Sequence, residues 1–327
     1  MKILVTGSAG HLGEALMRTL RPTAHRVIGV DILASPFTDR VGSITDRAFV
    51  KDCLRGVNAV LHAATLHKPH VATHSRQAFV DTNISGTLNL LEESLVAGVE
   101  AFVSTSTTSV YGLALAPPAG APAVWVDEDT VPIPKNIYGV TKLAAENLCE
   151  LFQRKWKLPV VVLRTSRFFP EIDDDAAMRA AYADANIKAN EFLYRRADIE
   201  DIVSAHLLAL DRAPALGFRR YVVSATTPFA RDDSGALRRD APGVVAARVP
   251  DYPAVFERLG WSMFPAIERV YDNAAARCEL GWQPRHDFAA IVERLCKSED
   301  VRSPLARLIG AKGYHDEVFA DGPFPVD

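Results

Sequence analysis

The chain has 327 residues, 48% of them hydrophobic and 24% charged, with a formal net charge of -3. That is enough apolar material for one large domain or two, and the near-neutral charge with no Lys/Arg-rich run speaks against a nucleic-acid partner. No apolar stretch approaches the ~18 residues of a membrane span, and Cys53, Cys149, Cys278 and Cys296 show no metal-ligand spacing, so buried free thiols in a cytoplasmic protein are expected.

Residues 2–6 form a short apolar run with β-branched Ile3 and Val5. Gly7, Gly10 and Gly13 follow, and Leu12, Ala15, Leu16 and Leu20 then recur in helical register. The pattern predicts strand, turn and helix. A chain that begins this directly on a strand leaves no room for a signal peptide. Gly7 suits a tight turn, Gly10 lets the backbone approach a pyrophosphate, and Gly13 permits close packing of helix on strand, with the helix N-terminus facing the phosphates.

A second strand is predicted from Arg26 to Val30 and ends in Asp31. A carboxylate there accepts both ribose hydroxyls of an adenosine and repels a 2′-phosphate, which favours NAD over NADP. Arg40 is the cation that the following loop offers to NADP instead.

Further strands are expected at 59–62, 101–105, 160–163 and 219–224, with helices near 47–54, 76–97 and 136–156. This alternation predicts an α/β fold with a Rossmann-type doubly wound parallel sheet, whose ligands bind at the carboxyl ends of the strands. Gly7, Asp31, His62 and the Ser/Thr run from Ser104 lie there. Residues 113–124, with Pro117 and Pro118, are expected to form a flexible loop long enough to act as a flap.

Tyr138 and Lys142 are four residues apart within a predicted helix and so share one face. An ammonium beside the phenol favours its ionised form, and a positively charged nicotinamide ring adds to this, making Tyr138 a usable base.

Taken in order, Thr6-Gly7-x-x-Gly10-x-x-Gly13, Asp31, His62-Ala63-Ala64, Asn83-Ile84-Ser85-Gly86-Thr87, Ser104 to Gly112, Tyr138-x-x-x-Lys142, Leu163-Arg164 and Glu279-Leu280-Gly281-Trp282 resemble the extended short-chain dehydrogenase/reductase family, its NAD-dependent epimerase/dehydratase group. The resemblance covers residues 1 to about 290. It implies a Rossmann domain (1–165 and 197–226) that binds NAD and a smaller, discontinuous C-terminal domain (166–196 and 227–327) that binds substrate. From residue 305 the chain is expected to form an arm packed across a partner or the cleft.

The resemblance also implies roles. Thr107 would hydrogen-bond the substrate oxygen, Tyr138 would exchange that oxygen's proton, and Lys142 would bind the nicotinamide ribose. Cofactor contacts would come from Gly7, Gly10, His11, Leu12, Gly13, Asp31, Ile32, Ser43 and Ile44. His62, Ala63, Ala64, Asn83, Thr105, Tyr138, Lys142 and Thr165 would complete them. A homodimer through the helices near 76–97 and 136–156 is implied as well.

Departures from the family narrow the chemistry. Where sugar dehydratases carry two acids, this chain has Thr108 and Ser109, which disfavours dehydration. Arg167 stands where nucleotide-sugar epimerases carry Asn, and a guanidinium there favours a carboxylate or phosphate unless the run Asp173 to Asp175 pairs with it. Arg195 or Arg196 resembles a diphosphate-binding Arg, but the second such Arg, expected before a Gly-Asp pair near Asp272, is missing. Residues 168–178 are faintly similar to uronate dehydrogenases.

His67 at a strand end is a further candidate substrate contact, and with no third ligand beside His67 and His70 no metal is expected. The expected activity is hydride transfer at a secondary alcohol of a sugar or sugar derivative. It is either epimerisation with retained NAD or oxidation of a free acidic sugar with release of NADH. A non-catalytic NAD sensor would not need Tyr138 and Lys142.

Overall fold

The structure is a computed structural model that describes residues 1–313 and 319. Its strands are β1 (Lys2–Thr6), β2 (Arg26–Asp31), β3 (Arg40–Val41), β4 (Ala59–His62), β5 (Ala101–Thr107), β6 (Val124–Val126), β7 (Val160–Thr165), β8 (Phe218–Val223) and β9 (Arg269–Tyr271). Seven of them form one sheet in the order β3-β2-β1-β4-β5-β7-β8, and β6 pairs with β9 apart from it. All the strand pairs are parallel.

Both faces of the large sheet are covered, as a parallel sheet requires. Ile3 and Val5 point into one apolar layer beneath helices α1 (His11–Leu20) and α8 (Ile199–Leu216). Leu4, between them, points the other way into the layer of Val50, Leu90, Leu91 and Phe152, carried by α2 (Arg47–Cys53), α4 (Gly86–Ala97) and α5 (Ile137–Trp156). The period-two alternation of a strand thus serves two cores. A separate apolar cluster joins Phe192 and Leu193 to Val245, Phe256, Val270, Phe288 and Ile291. The chain reaches it through α6 (Ala176–Ala181) and α7 (Asp184–Glu191), and returns to it after β8.

The predicted helix near 76–97 is real but interrupted. Its first turn, α3 (Arg76–Phe79), widens into a π-helical turn over Val80–Ser85 before α4 begins. Such bulges reposition a side chain, here Asn83. Strands β5 and β7 run two residues past the expected ends because their pairing continues through Ser106↔Arg164 and Thr107↔Thr165.

Two expectations are corrected. Residues 113–124 are not an untethered flap, since Leu113–Leu115 form a 3-10 turn, the Leu113 N–H donates to the Ile133 carbonyl at 2.8 Å, and Val124 opens β6. Nor are all the thiols buried: Cys278 and Cys296 are exposed, and only Cys53 and Cys149 lie in the core. The expected arm begins with a helix, Pro304–Ile309, packed on the first apolar layer through Leu305 and Ile309. Most of the arm beyond Gly313 lies outside the described residues. No helix among them is long and apolar enough to cross a membrane.

One buried carboxylate ties α5 to the sheet. Glu146 on α5, 1% exposed, accepts hydrogen bonds from Ser106 on β5 at 2.5 Å and from Arg164 on β7 at 2.8 Å, and pairs with Arg220 on β8 at 3.2 Å. Burial alone would lower the Arg164 pKa, and Glu146 outweighs it and raises it. Glu146→Ala would leave Arg164 buried without its carboxylate and is expected to cost about 3–5 kcal/mol. A lower urea midpoint with an unchanged m-value checks this.

Candidate active site

Strand order reverses between β1 and β4, and a cleft of about 980 Å³ opens there at the carboxyl ends of the strands. One end of it is the glycine loop. Gly7 sits at φ +73°, and a Cβ on it would lie 2.7 Å from the Ala64 nitrogen. A Cβ on Gly13 would lie 1.8 Å from the Gly7 carbonyl oxygen, so neither position accepts a side chain. The first residue of α1, His11, follows Gly10, whose position offers no side-chain cap. The helix N–H groups therefore face the cleft, which suits an anion.

Asp31 ends β2 on the rim, its carboxylate held by the N–H groups of Ala9 and Leu33, each at 2.9 Å. Arg40 pairs with Asp52 and is absent from the cleft wall, so it is not placed to receive a 2′-phosphate. A loop that brings Gly7, Gly10, Gly13 and Asp31 to one wall fits the dinucleotide that the sequence implies.

Of the sequence-predicted residues, Gly7, Gly10, His11, Leu12, Gly13, Asp31, Ile32, Ser43, Ile44, Ala63, Ala64, Thr105 and Thr165 line this cleft. Thr107, Tyr138, Lys142, His67, Arg167 and Arg195 line it too.

His62 and Asn83 do not line it and act one layer behind. The His62 ring lies between Thr6 (Nδ1, 2.8 Å) and Thr87 (Nε2, 2.9 Å). Because the Thr87 hydroxyl donates to the Asn83 carbonyl, it accepts from His62 Nε2–H. Burial pushes the His62 pKa down to about 3, so the ring stays neutral and ties β1, β4 and α4 together. Asn83 accepts from the Leu66 N–H at 2.8 Å and donates to the Thr141 hydroxyl at 3.1 Å, clamping the loop after β4 to the catalytic helix. That clamp brings the His67 ring to 6.1 Å from the Tyr138 ring.

The catalytic candidates converge from β5 and α5. Asn136 caps α5 by accepting from the Gly139 N–H at 3.1 Å, which sets where Tyr138 enters the cleft. The Thr107 hydroxyl lies beside the Tyr138 phenol, and both line the cleft. Lys142 donates to the Thr105 carbonyl at 2.7 Å. Burial pushes Tyr138 up to about 12, opposed by Thr107, and pushes Lys142 down to about 8. The expectation that Lys142 lowers the phenol is thus corrected. Desolvation dominates both groups, and ionising Tyr138 requires a further positive charge beside it.

Arg167 is not a waiting anion receptor. It pairs with Asp173 at 2.5 Å, Asp174 at 2.9 Å and Glu191 at 3.1 Å. Arg195 pairs with Glu191 at 2.8 Å, and Lys68 with Asp174 at 2.8 Å. The acidic run Asp173 to Asp175 supplies two buried carboxylates to this cluster, Asp173 and Asp174.

Sequence reasoning passed over Arg269. It lies on β9, lines the cleft, stacks over the Tyr194 ring at 5.7 Å, and makes no ion pair among the described residues. Its Nε is buried with no hydrogen-bond partner. The signal available was its position three residues before Asp272, obscured because Tyr271 stands where a Gly was sought. Away from the cleft, Asp198, Glu200 and His286 bring ligand atoms within 4.8 Å of one another. Asp198 already accepts from the Glu200 and Ser303 N–H groups at 2.8 and 3.1 Å, and Glu200 from Arg285 at 2.7 Å.

The profile of the NAD dependent epimerase/dehydratase family matches residues 3–224. The UDP-glucose 4-epimerase of Rhizobium meliloti is 30% identical over 339 aligned residues, which cover 89% of this chain and 94% of that protein. An uncharacterised UDP-glucose epimerase of Bacillus subtilis is 32% identical over 185 residues, 50% of this chain and 55% of that protein, so the chain spans about half the length of that relative. A short-chain dehydrogenase/reductase superfamily protein from Agrobacterium tumefaciens, solved with bound NAD, superposes with a TM-score of 0.65 at 26% identity, covering 91% of this chain and 97% of that one. A family match over most of the Rossmann sheet and a relative aligned nearly from end to end place the chain: it belongs to the NAD-dependent epimerase/dehydratase family.

Proposed function

We propose that the protein is a cytoplasmic NAD-dependent epimerase that inverts a secondary alcohol of a sugar, carried on a nucleoside diphosphate. The observation that carries this reading is the meeting of Thr107, Tyr138 and Lys142 in one cleft with the glycine loop. Bound NAD supplies reversible acceptance of a carbon-bound hydride. Thr107 holds the reacting hydroxyl, and Tyr138 takes its proton and later returns it. Lys142 engages the ribose, and the nicotinamide ring adds the further positive charge that brings Tyr138 down from its buried value. Asp31 holds the adenosine ribose.

Two arginines bear on the substrate. Arg269 offers the cleft a guanidinium not matched by a carboxylate, which suits a diphosphate, and two relatives are named for UDP-glucose. Arg167 was the support for a free acidic sugar, and its three carboxylates remove that support. Residues 166–196 and 227 onward would form the substrate-binding domain. Exposed Val96 on α4 with Val140 and Trp156 on α5 offers the apolar surface for a homodimer.

The test is purified protein with NAD and a panel of nucleotide sugars and free uronic acids. A nucleotide sugar converted to its epimer without net NADH supports the reading, and stoichiometric NADH from a free uronic acid overturns it. Tyr138→Phe should lower kcat by roughly 10²–10⁴-fold with little change in KM. Arg269→Ala should raise KM for the nucleotide sugar by roughly tenfold or more, the worth of one charge-assisted contact.

Lys142→Met should remove activity yet stabilise the fold at pH 7 by on the order of 3 kcal/mol, since both folded and unfolded wild type hold the proton there and the folded one holds it in a buried site. Between about pH 8 and 10.5 the unfolded wild-type chain binds the proton and the folded one does not, so wild-type stability rises with pH and the variant's advantage fades. Urea titrations of both proteins across that range check the sign.

A further inference from the structure

The chain after the helix Pro304–Ile309 returns to the cleft. Ser303, fully buried, anchors that helix by donating its N–H to Asp198 at 3.1 Å. Leu305 and Ile309 pack on the layer beneath α1. Gly310, at φ +62°, then turns the chain, and Lys312 and Gly313 become part of the cleft wall.

There the chain bridges the two sides of the cleft. Lys312 Nζ donates to Glu14 Oε2 at 2.5 Å, on the first turn of α1 behind the glycine loop. The N–H groups of Lys312 and Gly313 both donate to Glu171 Oε1, at 3.0 and 3.2 Å, on the segment that follows β7. The same Glu171 oxygen lies 2.9 Å from His11 Nε2, at the helix end that faces the expected pyrophosphate. Burial alone would raise Glu171, and the His11 and Lys312 contacts outweigh it and hold its carboxyl below the ordinary value. Residues 310–313 thus tie the first turn of α1 to the substrate-side segment.

We propose that residues 310–313 are a strap over the pyrophosphate end of the cleft, latched by Lys312 on Glu14 and Glu171, which sets how long the dinucleotide stays bound. This rests on the cofactor reading above and extends it to retention of NAD between turnovers. With the latch made, the strap and the segment carrying Glu171 move together, and the dinucleotide leaves only when both sides part. Lys312 is a positioning residue: it acts through Glu14 and the strap, and the glycine loop binds without it.

The experiment is stopped-flow release of NADH, displaced by excess NAD, from wild type, from Lys312→Met, and from a chain ended after Ile309. Thermal unfolding of each protein is measured alongside. The chain ended after Ile309 keeps the packed helix and removes only the strap and the residues C-terminal to it. Both variants are expected to release NADH roughly tenfold faster, the worth of one charge-assisted contact. Raising the salt should speed release from wild type and leave Lys312→Met nearly unchanged, a screening signature that a merely structural role would not give. Release at the wild-type rate from both variants overturns the strap and leaves the cofactor reading standing. Faster release from the shortened chain alone overturns the role of Lys312. Wild type that binds no NADH overturns the cofactor reading itself.

Discussion

The position of the catalytic helix against the sheet depends on the carboxylate of Glu146. It lies one turn beyond Lys142 and two beyond Tyr138 on α5, and it receives groups from β5, β7 and β8. Burying one carboxylate under two guanidinium groups is costly unless every lone pair is used. Here Ser106 and Arg164 donate to it, and Arg220 adds an ion pair. Because α5 cannot slide or rotate without parting these contacts, Tyr138 is held against Thr107, and Lys142 against the Thr105 carbonyl. The polar groups around this carboxylate specify one register of helix on sheet, which apolar packing alone leaves loosely defined.

Around that fixed point the cleft divides into three electrostatic regions. The glycine-loop end presents backbone N–H groups and suits an anion. The middle, at Tyr138, Lys142 and His67, is dominated by desolvation, with Lys142 brought down to about 8 and His67 to about 3. The substrate end holds a paired cluster, in which Arg167, Arg195, Arg196 and Lys68 meet Asp173, Asp174 and Glu191. Four cations on three carboxylates leave that wall only a small positive excess. Arg269 faces the cleft with no carboxylate partner among the described residues, which suits an anion of the substrate.

How legible this was in the sequence depended on the range of the interactions. The strands β1, β2, β4 and β5 and the helix from 137 were readable because alternation, glycine spacing and helical register are local. The glycine loop, Asp31 and the Tyr138/Lys142 pair were readable because their spacing follows from backbone geometry, whereas Thr107 came only from the family resemblance of Ser104 to Gly112. The features that were lost depend on contacts between distant segments. His62 and Asn83 sit at the right positions in the chain, yet their side chains turn inward to Thr6, Thr87, Leu66 and Thr141. For Arg167 the sequence left open pairing with the run Asp173 to Asp175, which the structure shows, but Glu191, twenty-four residues on, could not be placed beside it. The short strands β6 and β9 escaped because each of the two is stabilised only by the other, across more than a hundred residues.

The difference between an epimerase and a dehydrogenase of the same family need not lie in the residues that move the proton. In the roles proposed for them, Thr107, Tyr138 and Lys142 would serve either outcome, since both begin with removal of a hydroxyl proton and a hydride. An epimerase must keep its dinucleotide while the oxidised sugar turns, whereas a dehydrogenase must exchange it every cycle. The distinction is one of residence time, and residence time is set at the rim of a cleft by groups that never touch the reacting carbon. On this protein His11 and Lys312 line the cleft at the pyrophosphate end and are held there by Glu171 and Glu14, groups drawn from three separate stretches of chain. Substrate preference and cofactor retention are therefore set at opposite ends of one cleft, and each can change in sequence without disturbing the catalytic helix between them.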